Sequence, residues 1–217
     1  DEKLYVALDI LTDMFTSSVF PEQQVEKERG VILEEIAMVG DTPDELLMER
    51  LSEEFFRGTE LSKTILGKEE NVKSFLRSDL VGYREKHYCT GNIVVAAAGN
   101  FDEAELLAFL EEKLSLLPSC PLERTYEKDP LWKPQKKEFL LERDIEQLHL
   151  GLSFPGPALD DADRYVCSLV VNILGGGMSS RLFQKVREEL GAAYSVYAYP
   201  VTYKQVGAIV VYAGTSP

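Results

Sequence analysis

The sequence predicts an α+β fold, and three observations carry that prediction. Helical amphipathic patterns and β-rich apolar runs are mixed, without the regular strand–helix–strand alternation of a parallel sheet. No dinucleotide glycine fingerprint accompanies them. A stretch from Pro118 to Gln135, with four prolines and mixed charges, interrupts the pattern, which then restarts.

Taken in order, Leu4, Val6, Leu8, Leu11 and Phe15 give a mainly helical pattern over 3–16. Phe20-Pro21 breaks the chain, and Pro21 sits where a helix can begin. A second helix spans about 22–39, and Asp41-Thr42-Pro43 stops it. A third spans about 44–56, ended by Gly58. Short helices follow at about 69–76 and 79–87, the latter with Ser78 as N-cap. Asn92 to Ala98 is β-rich and bounded by glycines, so Ile93–Ala98 is expected as a buried central strand. Asp102 and Glu105 form a capping box for a helix reaching Leu117. After the Pro-rich stretch, residues 138–142 and 147–154 read as paired strands. Helices at about 161–174 and 179–190 end at Gly175-Gly176-Gly177 and at Gly191, a C′ residue. Residues 193–200 and 206–214 alternate as strands of a hairpin.

The 217 residues carry 23 basic and 37 acidic side chains, a net charge of −14. That field repels phosphate backbones and disfavours nucleic acid, though it attracts basic peptides. No apolar run reaches the roughly 18 residues of a membrane span. The chain opens on Asp1-Glu2-Lys3 with neither signal peptide nor initiator Met, so the natural start is expected upstream. Cys89, Cys120 and Cys167 lack C-x-x-C spacing and read as reduced thiols of a cytoplasmic protein, without a disulfide framework.

Two places carry candidate chemistry. In the helix V-E-K-E-R-G-V-I-L-E-E-I, with Val25 at zero and about 100° per residue, Ile32, Ile36 and Val39 fall within about 40° of Val25. Glu28 and Glu35 lie on the shoulder of that buried stripe, at about −60° and −80°, and Glu34 faces solvent. A carboxylate there needs a metal, a cation or hydrogen-bond donors; a rim ion pair with Arg or Lys serves as well. The second place is G-G-G-M-S-S-R-L-F-Q-K-V-R-E-E-L-G-A-A-Y, residues 175–194. With no G-K-[ST] following, the glycines read as a turn that passes close to other backbone, not a phosphate cradle. Arg187 near the helix end and Tyr194 in the next strand admit capping and packing as well as function. His87 and His149 share no ligand spacing.

V-E-K-E-R-G-V-I-L-E-E-I, the following D-x-P, Ile65-Leu66-Gly67 and Y-C-T-G-N-I-V-V-A-A-A-G-N resemble the first half of the pitrilysin/insulinase zinc metallopeptidases, in a bacterial branch similar to mitochondrial processing peptidase. L-G-G-G-M-S-S-R-L-F-Q-K-V-R-E-E-L-G-A-A-Y-S-V resembles the second half. The resemblance covers nearly the whole chain in the right order. It implies parts of two related α/β-layered domains: residues 1–120 as the C-terminal part of the first, 121–135 a linker, and 136–217 the N-terminal part of the second, substrate-binding domain.

The resemblance further implies zinc held by two histidines of an H-x-x-E-H motif and by a later glutamate, which maps to Glu35, with Glu28 supporting the site. It implies that Arg187 and Tyr194 bind the substrate backbone and the developing oxyanion. No H-x-x-E-H occurs between Asp1 and Pro217. The chain is therefore expected as an interior fragment, with zinc in the intact protein but none bound here, and inactive alone. Its expected partners are a peptide substrate and a second copy or paired subunit, with no nucleic acid and no membrane. A noncatalytic structural or partner subunit of the same fold is the alternative.

Overall fold

The computed structural model describes residues 2–120 and 133–216. It is α+β, as expected, and divides into two compact units. One comprises residues 1–33 and 69–127, the other 34–68 and 128–217. The sequence placed a single division at 121–135, mostly outside the described residues. The chain passes between these units three times, and residues 34–68 group with those that follow the Pro-rich stretch.

The first unit is helical. It holds α1 (Glu2–Thr16), the first part of α2 (Glu22–Asp41), α4 (Glu69–Ser74), α5 (Arg77–His87) and α6 (Glu103–Leu114). α1 meets α6 through the Tyr5 and Phe109 rings, 5.6 Å apart, and through Lys113 on Asp9 at 2.6 Å. Asp102 caps α6, its carboxylate accepting from the Glu105 N–H at 2.9 Å. α5 starts two residues earlier than expected. Ser78 lies inside its first turn, and Asp79 reaches back to accept from the Leu76 N–H at 2.7 Å. The turn into α2 is held by arginines of α5: Arg77 donates to the carbonyls of Phe20 and Val19 at 2.7 and 2.9 Å, and Arg84 to that of Ser18. Phe20 takes φ 45°, left-handed backbone that a non-glycine residue adopts only when fixed from outside. Arg29 of α2 in turn donates to the carbonyls of Val72 and Phe75, at the end of α4.

Two expectations fail in this unit. Residues 93–98 form no strand; Val94 is 76% exposed and pairs with nothing among the described residues. β-rich composition supplies the side chains of a central strand, but a strand also needs neighbours to take its backbone groups. Cys89 and Cys120 are joined in a disulfide, leaving Cys167 free. A disulfide depends on proximity in space, here between the end of α5 and the chain after α6, and sequence spacing did not reveal it.

The second unit is built on a three-stranded antiparallel sheet in the order β1-β3-β2: β1 Leu148–Gly156, β2 Ser195–Thr202 and β3 Gly207–Thr215. β2 and β3 form the expected hairpin. β1 pairs with β3 rather than with 138–142, which is not a strand. α3 (Pro43–Phe55) covers one face. Its Leu51 and Phe55, with Phe56, form a core with Ala208 and Val210. Each such large apolar side chain contributes about 1.5–3 kcal/mol when fully buried. Gly151 opposes Tyr212, which opposes Tyr197, so these share the α3 face, where Leu47 and Leu51 lie over Gly151. α7 (Arg164–Gly175) covers the opposite face over β2, with Val171 buried and Gly175 against Ala198.

Candidate functional site

The chain after α7 is a tight turn. Gly176 packs so closely on Asn172 that a Cβ would meet the Asn172 Oδ1 at 2.1 Å. Ser180 is buried, and its hydroxyl accepts from the Phe183 N–H at 3.4 Å. Gln184 folds back to donate to the Met178 carbonyl at 2.7 Å. The helix that follows is α-helical only at its start; Phe183–Glu189 is π-helical, with the Leu190 N–H donating to the Lys185 carbonyl at 3.1 Å. Single-turn π segments recur at functional sites because the extra residue re-aims side chains. Gly191, at φ 59°, ends the segment as the expected left-handed residue. The Tyr194 N–H then donates to the Gly214 carbonyl at 3.0 Å, leading into β2.

This path brings Arg187 and Tyr194 together. The Arg187 guanidinium carbon lies 5.2 Å from the centre of the Tyr194 ring and 4.6 Å from that of Phe183. Its one ion pair among the described residues is Nε to Glu188 at 4.0 Å, too loose and exposed to contribute much. No described residue accepts a hydrogen bond from the guanidinium. Tyr194 is 76% exposed, and its hydroxyl has no hydrogen-bond partner among the described residues. The Tyr194 ring is thus outside its unit's core, and packing does not account for it. Phe183 is the member of the cluster that the sequence reading passed over. Its position four residues before Arg187 was the available signal.

The carboxylates of α2 are placed differently from expectation. Val25, Ile32, Ile36 and Val39 do line one side of the helix, but they are only half-buried. Glu28 and Glu35 are exposed, as Glu34 is. The helical angles ordered the side chains correctly; the degree of burial depends on what packs on the helix, which the angles do not contain. Among the described residues, no group of three His, Cys, Asp or Glu side chains could hold a metal ion. Glu35 is one carboxylate where catalytic zinc takes three protein ligands, so the described residues do not fit zinc. His87 stacks near Tyr83, ring centres 4.4 Å apart, and His149 Nδ1 lies 2.8 Å from the Tyr212 hydroxyl. A cleft of about 820 Å3 lies between α3, His149 and the chain from Phe139 to Ile145; Arg187 and Tyr194 do not line it.

Comparison with known proteins gives a consistent result. Residues 1–69 match a family model described as insulinase (peptidase family M16), and residues 74–217 match one described as the peptidase M16 inactive domain. The chain is 36% identical over 217 residues to an uncharacterized zinc protease of Bacillus subtilis, covering 99% of this chain and 52% of that protein. It is 35% identical over 221 residues to one of Rickettsia felis, covering 97% and 50%. The chain thus spans about half the length of the curated relatives it matches. Among solved structures, the peptidase M16 inactive domain from Pseudomonas fluorescens superposes with a TM-score of 0.82 at 23% identity, covering 99% of this chain and 52% of that one. A protease from Helicobacter pylori gives 0.81 at 17% identity, covering 97% and 52%.

Proposed function

Because this chain belongs to the M16 family of insulinase-type peptidases, we propose that it is part of a zinc-dependent endopeptidase that hydrolyses peptides or protein segments in an enclosed chamber. The Arg187–Tyr194 pair is assigned to substrate. One observation carries this reading: the guanidinium carbon lies 4.6 and 5.2 Å from two ring centres with no hydrogen-bond acceptor among the described residues, beside an exposed phenol that likewise has no partner among them. Such a pair suits a peptide backbone. The guanidinium donates to a carbonyl in charge-assisted bonds. The phenol O–H donates to the carbonyl oxygen under attack, more strongly as negative charge builds on it. The match of residues 74–217 to an inactive-domain model fits a role in binding substrate rather than metal. Zinc, with Glu35 as one ligand and Glu28 in support, is proposed for the whole protein and not for the described residues.

The test uses the protein at the length of its relatives and a fluorogenic peptide. Tyr194→Phe removes one hydroxyl from an exposed side chain, so the fold is expected to keep its melting temperature while kcat falls by about 100-fold or more, the scale for one oxyanion donor. In the same protein, Glu35→Gln is expected to release zinc and Glu34→Gln to retain it. Unchanged turnover in Tyr194→Phe removes the substrate role of the tyrosine. Equal zinc content in the two glutamate variants removes the assignment of Glu35.

A further inference from the structure

We propose that Phe183 is a positioning residue for Arg187, fixing the guanidinium through its face so that its edge stays free for a backbone carbonyl. This rests on the substrate role given to Arg187 above. An arginine side chain loses considerable rotamer freedom when it is fixed, so it stays in one place only if something holds it. A carboxylate is the common holder, but it occupies the N–H fork and cancels the charge. Among the described residues no carboxylate does so; the contact to Glu188 is 4.0 Å. Phe183 instead lies 4.6 Å from the guanidinium carbon, with Tyr194 at 5.2 Å. Aromatic faces attract the cation without accepting its in-plane N–H bonds. Tyr194 also carries the hydroxyl assigned to substrate, whereas Phe183 has no polar atom in its side chain and can act only through Arg187. The Phe183 backbone is held in turn, by Ser180, whose buried hydroxyl accepts from its N–H.

The test has two arms. In the 217-residue chain, the Arg187 Hε–Nε resonance is identified by its loss in Arg187→Lys. Ring currents are expected to displace it. Phe183→Leu, close in volume, should move it back toward the position of an unstacked arginine, and Phe183→Tyr should restore it. In the protein of full relative length, Phe183→Leu should lower kcat/KM by about 2- to 30-fold, the range from exposed to desolvated cation–aromatic contacts. That loss should vanish in an Arg187→Gln background, because there is no guanidinium left to hold. An Arg187 resonance that stays in place in Phe183→Leu overturns the proposal. So does an equal fold-loss in both backgrounds, which marks Phe183 as a packing residue. If Arg187→Gln alone leaves turnover unchanged, the substrate role of Arg187 falls, and the resonance by itself decides whether Phe183 holds the side chain.

Discussion

A Cβ built on Gly175 would lie 2.4 Å from the Ala198 backbone nitrogen and 2.7 Å from its Cβ, while one on Gly177 would meet nothing within 4 Å. Gly175→Ala must therefore push α7 off β2. The expected cost is about 1–3 kcal/mol, the usual penalty for overpacking, read as a lower urea midpoint. Gly177→Ala should leave the midpoint in place; a matching drop would show that the turn needs its glycines for flexibility and not for close approach. The sequence announced a turn passing close to other backbone, and that is true of Gly175 but not of Gly177. Consecutive glycines look alike until the partner strand is known. Arg187 and Tyr194 were legible because seven residues of helix end, turn and strand return the chain on itself. Phe183 was overlooked because its value lies in a guanidinium that no described residue accepts a hydrogen bond from, a property of the folded chain and not of the local sequence. Glu35 was legible as a candidate through resemblance, and its exposure was not.

Local pattern was sufficient for the helices, whose hydrogen bonds close within the segment. Strands were less readable, because their bonds go to segments distant in sequence. Residues 207–215 were found because the hairpin partner is adjacent, whereas 93–98 and 138–142 carried strand composition without a partner among the described residues. The Cys89–Cys120 link is likewise nonlocal. It closes a separation of 31 residues, for which the chain-entropy account gives about 3–4 kcal/mol. Reduction should lower the melting temperature of the chain, Cys120→Ser should abolish that response, and Cys167→Ser should leave it intact. Thiol titration showing three free cysteines in the chain purified without reductant would remove the disulfide. β3 offers a separate test. Burial, then the charge of Asp44 and the neighbouring Tyr197, push the pKa of the Tyr212 phenol above the ordinary value of 10.0. The folded chain therefore holds this phenol neutral more firmly than the unfolded one. Its contribution is complete below the ordinary value and is lost as pH rises through the raised one. The alkaline fall in melting temperature should be shallower in Tyr212→Phe; an unaltered slope would exclude Tyr212 as its source.

Net charge and apolar exposure act on the chain in opposite directions. At −14, chains repel one another. In the second unit, however, α7 is apolar nearly all round, and among the described residues β2 covers one side of it. Val166, Leu169, Val170 and Ile173 are 55–65% exposed, at the spacing of a single helical stripe. Leu148, Leu150, Leu152 and Phe154 of β1 alternate onto the sheet face that α7 occupies over β2, and each is 43–51% exposed. A helix apolar on two sides is the pattern of an element packed on both, and contiguous exposure of this kind favours association. The chain spans about half the length of its curated relatives, so the same stripe can be compared between the short and the long protein. In the 217-residue chain, the stripe should bind a hydrophobic dye, and self-association should grow as salt screens the net charge. Leu169→Lys with Ile173→Glu should reduce both effects without lowering the melting temperature, because neither side chain is buried here. In a protein of full relative length the same pair should destabilise, if the added chain packs on this stripe. Dye binding that is unchanged by the two substitutions in the short chain would place the sticky surface elsewhere, and the exposed apolar run 93–98 would be the next segment to substitute.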